Sequence, residues 1–312
     1  MTITIAALGC SGSVAAHIIH GFLNLEEDVT IRILARNPSV VEQRYSQHKN
    51  VEVIQGSMSD PDSVARAVEK ADAAFLITPM GMNNDPSSEI AIAEKNLQGA
   101  VRGNVRHLIY ASVLRCDDGG AANATGVGIL DAKVSIEEMI ASSGLDYSIL
   151  RCGSYMEDVF DPRLNMLKMG AFLFPIDRRQ TFSYTAQSDI SKFIAQELVS
   201  NGPLNGCIDF VEPGVYSIAQ VEEALSSAAG FRIRTTPKMP IFYIFKALLP
   251  IFGWMQHRFS SVIPLMEYFD AFGYTGNSKS LSTKYPTFTM KSLDDHLKEL
   301  FLTNNQVAKK QN

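Results

Sequence analysis

Gly9, Gly12 and Ala15 stand where an apolar run, TITIAAL, gives way to the small and apolar mixture of residues 13–22. A glycine tolerates the backbone angles of a tight exit from a strand. A second glycine lets the start of a helix approach a phosphate, and an alanine keeps that helix close to its sheet. Free N–H groups at such a helix start hold anionic oxygen without any basic side chain. This arrangement is suited to gripping a pyrophosphate. Arg36, in Ala35-Arg36-Asn37-Pro38 after the next apolar run, extends the reading. An acidic residue at that point would accept ribose hydroxyls, whereas a guanidinium forks onto an additional phosphate. The nucleotide favoured is NADP rather than NAD.

A regular alternation carries these residues. VTIRILAR, VEVIQGSM, ADAAFLITP, VRHLIYAS and LDYSILRC read as five further strands, with helices predicted over 63–70, 89–101 and 128–143. Asp60 and Pro61 supply an N-cap and a first helical residue. Repeated strand–helix order calls for an α/β fold: a Rossmann-type, mostly parallel sheet with helices on both faces. The expected division is a dinucleotide-binding domain over 1–152 and a smaller, mixed substrate or partner lobe over 153–312. Some segments of that lobe, such as AQSDISKFIAQELVS, are expected to pack back on the first domain. Within the lobe, Ser217 and Gln220 form a predicted capping box for a helix that stops at Gly230.

The most unusual composition lies in MPIFYIFKALLPIFGWMQHRF, where Phe242, Phe245, Trp254 and Met255 could face an apolar ligand, a partner or simply the core. Lys246, Pro250 and Gly253 interrupt the run, so no membrane span is expected. His257 has no second metal ligand at a credible spacing. Cys10, Cys116, Cys152 and Cys207 are widely separated, without a CxxC or zinc-like pattern, and are read as buried free thiols of a cytoplasmic protein. The 312 residues carry a formal charge of -5 with no basic run, which argues against nucleic acid as partner.

The stretches GCSGSVA, LARNPS, VEVIQGSMSDPDSVARAVEKADAAFLITP, HLIYAS and AKVSIEEMIASSGLDYSILRCGSYMED, in that order, resemble the NmrA-like branch of the atypical short-chain dehydrogenase/reductase superfamily. The resemblance implies that Gly9, Ser11, Gly12 and Ser13 form the phosphate-binding turn, and that Arg36 is the basic NADP contact. It places Ser57 and Met58 around the adenine, with Ser57 where relatives often carry an acidic residue. Thr78 and Pro79 would line the cofactor cleft, and Ser112 would lie near the nicotinamide.

The wider superfamily places a tyrosine four residues before a lysine on one helix, so that a phenol can protonate a carbonyl as hydride arrives. Here the lysine is Lys133, but the residue four positions earlier is Ile129, which cannot transfer a proton. Lys133 could hold the nicotinamide ribose or manage the substrate's proton. Ser112 could orient a carbonyl or merely satisfy backbone groups. Tyr155 could donate from another direction or form an amphipathic pocket wall. Cys152 has no nearby base to activate it. Members of the family include reductases of small organic compounds and NADP-responsive regulators. Two functions follow from the resemblance. One is NADPH-dependent reduction of a small, largely apolar carbonyl or conjugated substrate. The other is non-catalytic redox sensing through a protein partner, and a homodimer is compatible with either.

Overall fold

Six strands alternate with five helices through the first half of the chain: β1 (Ile3–Leu8), α1 (Ser13–Leu23), β2 (Val29–Ala35), α2 (Pro38–Arg44), β3 (Val51–Gln55), α3 (Pro61–Val68), β4 (Ala73–Leu76), α4 (Ser87–Arg102), β5 (Leu108–Val113), α5 (Gly128–Ala141) and β6 (Tyr147–Cys152). The computed structural model describes residues 2–10, 13–79, 85–114, 125–162, 165–236 and 253–310. The expected Asp60 cap is formed, its carboxylate accepting the N–H groups of Asp62 and Ser63. The fourth helix begins earlier than predicted, at Ser87 rather than Glu89. Asp85 accepts both the N–H and the hydroxyl of Ser87 and so secures the start two residues upstream.

The sheet has seven strands in the order Gly206–Phe210, β6, β5, β4, β1, β2, β3. The pairs β1·β2, β2·β3, β1·β4, β4·β5 and β5·β6 are parallel. The α/β, Rossmann-type architecture is therefore as expected. After β3 the chain returns over β1 and lays β4 on its other side. This reversal makes a switch point between β1 and β4, with the carboxyl ends of both along one edge. Ligands of such sheets bind in the crevice at that point.

Both faces of the sheet are covered, because successive side chains leave a strand on opposite sides. Ala6, Leu8, Ala74, Leu76 and Tyr110 share one core with Val64, Ala67, Leu97, Ile136 and Ile140 of the helices. The alternate residues Ile5, Ala7, Ile31, Ile33, Phe75 and Ile109 are equally buried. Gly99 sets the approach of α3 and α4, since a Cβ there would lie 2.5 Å from that of Val64.

The chain forms two compact units, Met1–Cys152 with Gln187–Asp209, and Gly153–Ala186 with Phe210–Asn312. In the first, Ser191 of the Gln187–Phe193 helix donates its hydroxyl to the Ile18 carbonyl of α1 at 2.6 Å. In the second, short strands pair Ser154–Tyr155 with Tyr184–Thr185 and Ala171–Phe172 with Arg234–Thr235. Its core is aromatic: Phe160, Phe172, Phe182 and Tyr184 are fully buried. The predicted Ser217/Gln220 capping box is present, and Gly230 ends that helix with φ +75°.

Contrary to the expectation from the sequence, the cysteines are not all buried. Cys10 and Cys152 are buried, but Cys207 is exposed, because the strand that carries it forms the sheet's edge. Cys116 lies outside the described residues, as do Phe242 and Phe245; the side chains of Trp254, Met255 and His257 also fall outside. Among the described residues no helix is long and apolar enough to cross a membrane.

Candidate functional site

Gly9 ends β1 with φ +82°, a conformation that side chains disfavour. A Cβ on it would stand 1.9 Å from the Ile77 carbonyl oxygen. Only glycine lets this turn close against the backbone that leaves β4, at the switch point itself. The same hypothetical Cβ would lie 3.3 Å from the Met58 methyl, so Met58 packs at this turn. α1 starts at Ser13, and Ser11 and Gly12 lie outside the described residues, as does the side chain of Ser13. Cys10 is inert as a nucleophile, since burial pushes its thiol up to about 12.

β2 and β3 end side by side, with Ala35 opposite Gln55 and the Gly56 N–H donating to the Ala35 carbonyl. Arg36 and Ser57 follow directly, so both leave the sheet at the same edge as Gly9. Arg36 is exposed. Ser57 is half-buried, and its hydroxyl accepts the Ser59 N–H at 3.2 Å.

Thr78 leaves β4 at this edge and is buried, while Pro79 is exposed. On α5, Lys133 and Glu137 are one turn apart and both face inward, beside the apolar stripe of Ile136 and Ile140. On β5, Tyr110 and Ser112 are two residues apart and therefore share a face. Two buried polar clusters result.

In the first, Lys133 Nζ donates to Thr78 Oγ1 at 2.8 Å and pairs with Glu89 Oε1 at 2.9 Å. Thr78 Oγ1 in turn donates to Glu89 Oε1 at 2.6 Å and lies 3.1 Å from the Tyr110 hydroxyl. The ammonium also sits 5.0 Å from the centre of the Tyr110 ring. Burial alone would lower the lysine's proton affinity. The hydrogen bonds of Tyr110 and Glu89, with the Glu89 charge, outweigh it and hold Lys133 above its ordinary value. Burial pushes the Tyr110 phenol up to about 12, so it stays protonated.

In the second cluster, Ser112 donates its hydroxyl to Glu137 Oε1. Arg151, opposite Ser112 in the β5·β6 register, grips the same carboxylate through Nε at 3.1 Å and Nη2 at 2.8 Å. The single hydroxyl proton of Ser112 is thus directed at Glu137, which leaves its oxygen as an acceptor. Asp131, two residues before Lys133, accepts the N–H and hydroxyl of Thr125.

The structure brings together Gly9 with Met58, and Thr78 with Lys133; Ser112 is tied to the next turn of α5. Tyr155 belongs to the second unit, half-buried in the short strand that pairs with Tyr184–Thr185. Cys152 is buried, with Sγ 3.5 Å from the Leu150 carbonyl. Glu89, Tyr110, Glu137 and Arg151 were not singled out from the sequence. The available clues were the Tyr110/Ser112 alternation and the Lys133/Glu137 helical spacing.

A parallel sheet with a glycine turn at its switch point defines a Rossmann-type protein of the NAD(P)-binding class. Residues 1–295 match the model of the NmrA-like family, and the chain belongs to that family. Quinone oxidoreductase 2 of Escherichia coli is 22% identical over 233 residues, covering 73% of this chain and 76% of the relative. The crystal structure of Citrobacter sp. triphenylmethane reductase complexed with NADP(H) superposes with a TM-score of 0.73 at 16% identity, over 95% of this chain and 99% of that one. NmrA, a negative transcriptional regulator, superposes with a TM-score of 0.66 at 18% identity, over 99% and 98%. The two structures share the fold with this chain, and one is a reductase while the other is a regulator.

Proposed function

We propose that the chain is an NADP-dependent reductase of a small, largely apolar carbonyl or conjugated organic compound, working without the usual tyrosine. Lys133 carries the proposal: it is held as an ammonium beside Thr78 at the switch-point edge, while Ile129 occupies the place of the proton donor. The cofactor fits this edge on the Gly9 turn, where any side chain would strike the Ile77 carbonyl. Gly9 and the start of α1 would hold the pyrophosphate, and Arg36 the additional phosphate. Bound NADPH supplies the hydride.

The protein's own groups then limit the acceptor. An ordinary ketone becomes an alkoxide, which is too basic to form without a positioned acid. Tyr110 is buried and holds its proton, Ser112 directs its own at Glu137, and Lys133 is a poor acid while paired with Glu89. A quinone or similarly conjugated acceptor yields a phenol-like oxygen, with a pKa near about 10. Such an anion survives until water protonates it. The fixed charge of Lys133 stabilises negative oxygen without giving up a proton. The name of the E. coli relative, quinone oxidoreductase 2, agrees with this class. Recognition of the substrate is assigned to the lobe over 153–312, with Tyr155 as a wall residue.

The test pairs calorimetry of NADPH binding with turnover on a panel of quinones, enones, azo compounds and simple ketones. Turnover of conjugated acceptors but not of simple ketones is expected. NADPH binding with no turnover anywhere would defeat the proposal. It would leave the regulatory reading, which Ile129 and the fold shared with NmrA favour. A regulator requires partner affinity that differs among NADP, NADPH and no nucleotide.

A further inference from the structure

Glu89 is 1% exposed, although it stands in the first turn of α4 between the exposed Ser88 and the half-buried Ile90. A carboxylate is favoured at a helix start, but at the surface. Burying it with a lysine recovers little stability, because desolvation opposes the attraction of the pair. An apolar residue would serve the core at least as well.

The hydrogen bonds around Thr78 show what the carboxylate does. Thr78 Oγ1 has one proton and two acceptor sites. Its proton goes to Glu89, so it accepts from Lys133 Nζ and from the Tyr110 hydroxyl. Two of the three N–H groups of Lys133 are thereby fixed on Glu89 and Thr78. The third is taken up by the Tyr110 hydroxyl, which also hydrogen-bonds to Lys133. The groups around Lys133 are Glu89 from α4, Thr78 beyond β4 and Tyr110 from β5. On its own helix, Glu137 is held by Arg151 of β6, and Asp131 by Thr125. Glu89 is the one carboxylate among the described residues that pairs with Lys133.

We infer that Glu89 is a positioning residue acting through Lys133: it keeps that side chain an ammonium and fixes its orientation, so that Lys133 presents a fixed positive charge at the cofactor edge rather than donating a proton. The inference rests on the dinucleotide-binding reading of this edge and not on turnover.

The test is Glu89→Gln in the full-length protein, with lysine 13Cε resonances followed from pH 6 to 10 and Lys133 assigned by its loss in K133M. Lys133 is expected to stay charged throughout in the wild type, and to titrate below about pH 9 in E89Q. NADPH affinity of E89Q should fall about tenfold more than that of the wild type between pH 7 and 9. The additional fall should be absent from E89Q/K133M. A Lys133 that remains charged in E89Q overturns the inference, as does an additional fall that persists in the double variant. Should E89Q fail to fold, E89D decides: an ionised Lys133 with weakened NADPH binding supports the inference, and wild-type affinity overturns it. Failure of the wild type to bind NADPH would refute the dinucleotide reading instead, and the resonances of Lys133 would still report its charge.

Discussion

Arg151 grips Glu137 through two nitrogens, and the same carboxylate accepts the hydroxyl of Ser112 on the neighbouring strand. Both charged groups are at least nine-tenths buried. Removing one leaves the other without compensation in the interior. Arg151→Met should therefore lower unfolding stability by about 3–5 kcal/mol. Replacing both, as E137L/R151M, should recover more than half of that loss. Urea denaturation of the three proteins measures it, and equal losses in the single and double variants would contradict the pairing.

Gly9→Ala places a methyl group within 1.9 Å of the Ile77 carbonyl oxygen at φ +82°. Neither a rotamer nor a small shift relieves a clash with backbone. The variant should lose at least about 2 kcal/mol of stability and bind NADPH too weakly for calorimetry to detect. Wild-type affinity in G9A would remove the turn from the nucleotide site.

Arg36 is exposed just past β2 and forms no ion pair among the described residues. Arg36→Gln should change stability by less than about 0.5 kcal/mol. Its effect should appear in nucleotide selection: NADPH affinity reduced about tenfold or more, NADH affinity unchanged. Equal changes for the two nucleotides would place the extra phosphate elsewhere.

His107 precedes β5 and shares a buried hydrogen bond with Ser148 at 2.8 Å. Burial lowers its pKa from 6.5 to about 4, against an opposing pull from Asp146. Between those values the unfolded chain binds a proton that the folded chain refuses. Stability from this group is thus complete above about pH 6.5 and falls as the pH drops towards 4, by up to roughly 3 kcal/mol. In His107→Gln the acid limb of a stability profile should flatten by that amount. An unchanged limb would show that other groups govern acid unfolding.

Local features predicted much of this molecule. The Asp60 cap, the Ser217/Gln220 capping box and the glycine that ends β1 each act within a few residues, and each is found where its spacing required. The strand alternation likewise set the parallel sheet. What the sequence concealed was polar and buried. Tyr110 and Arg151 lie inside strands that read as apolar runs, and Glu89 resembles an ordinary first-turn acid. Their partners are 32, 14 and 11 residues away or more, on other elements. Likewise, the place of the Gly206–Phe210 strand beside β6 depends on pairing across more than fifty residues.

The two inward charges of α5 have opposite sign and are moored to different neighbours, Lys133 to Glu89 of α4 and Glu137 to Arg151 of β6. A rotation of the helix about its axis breaks both moorings at once. The two pairs together therefore hold α5 in a single rotational setting against the sheet.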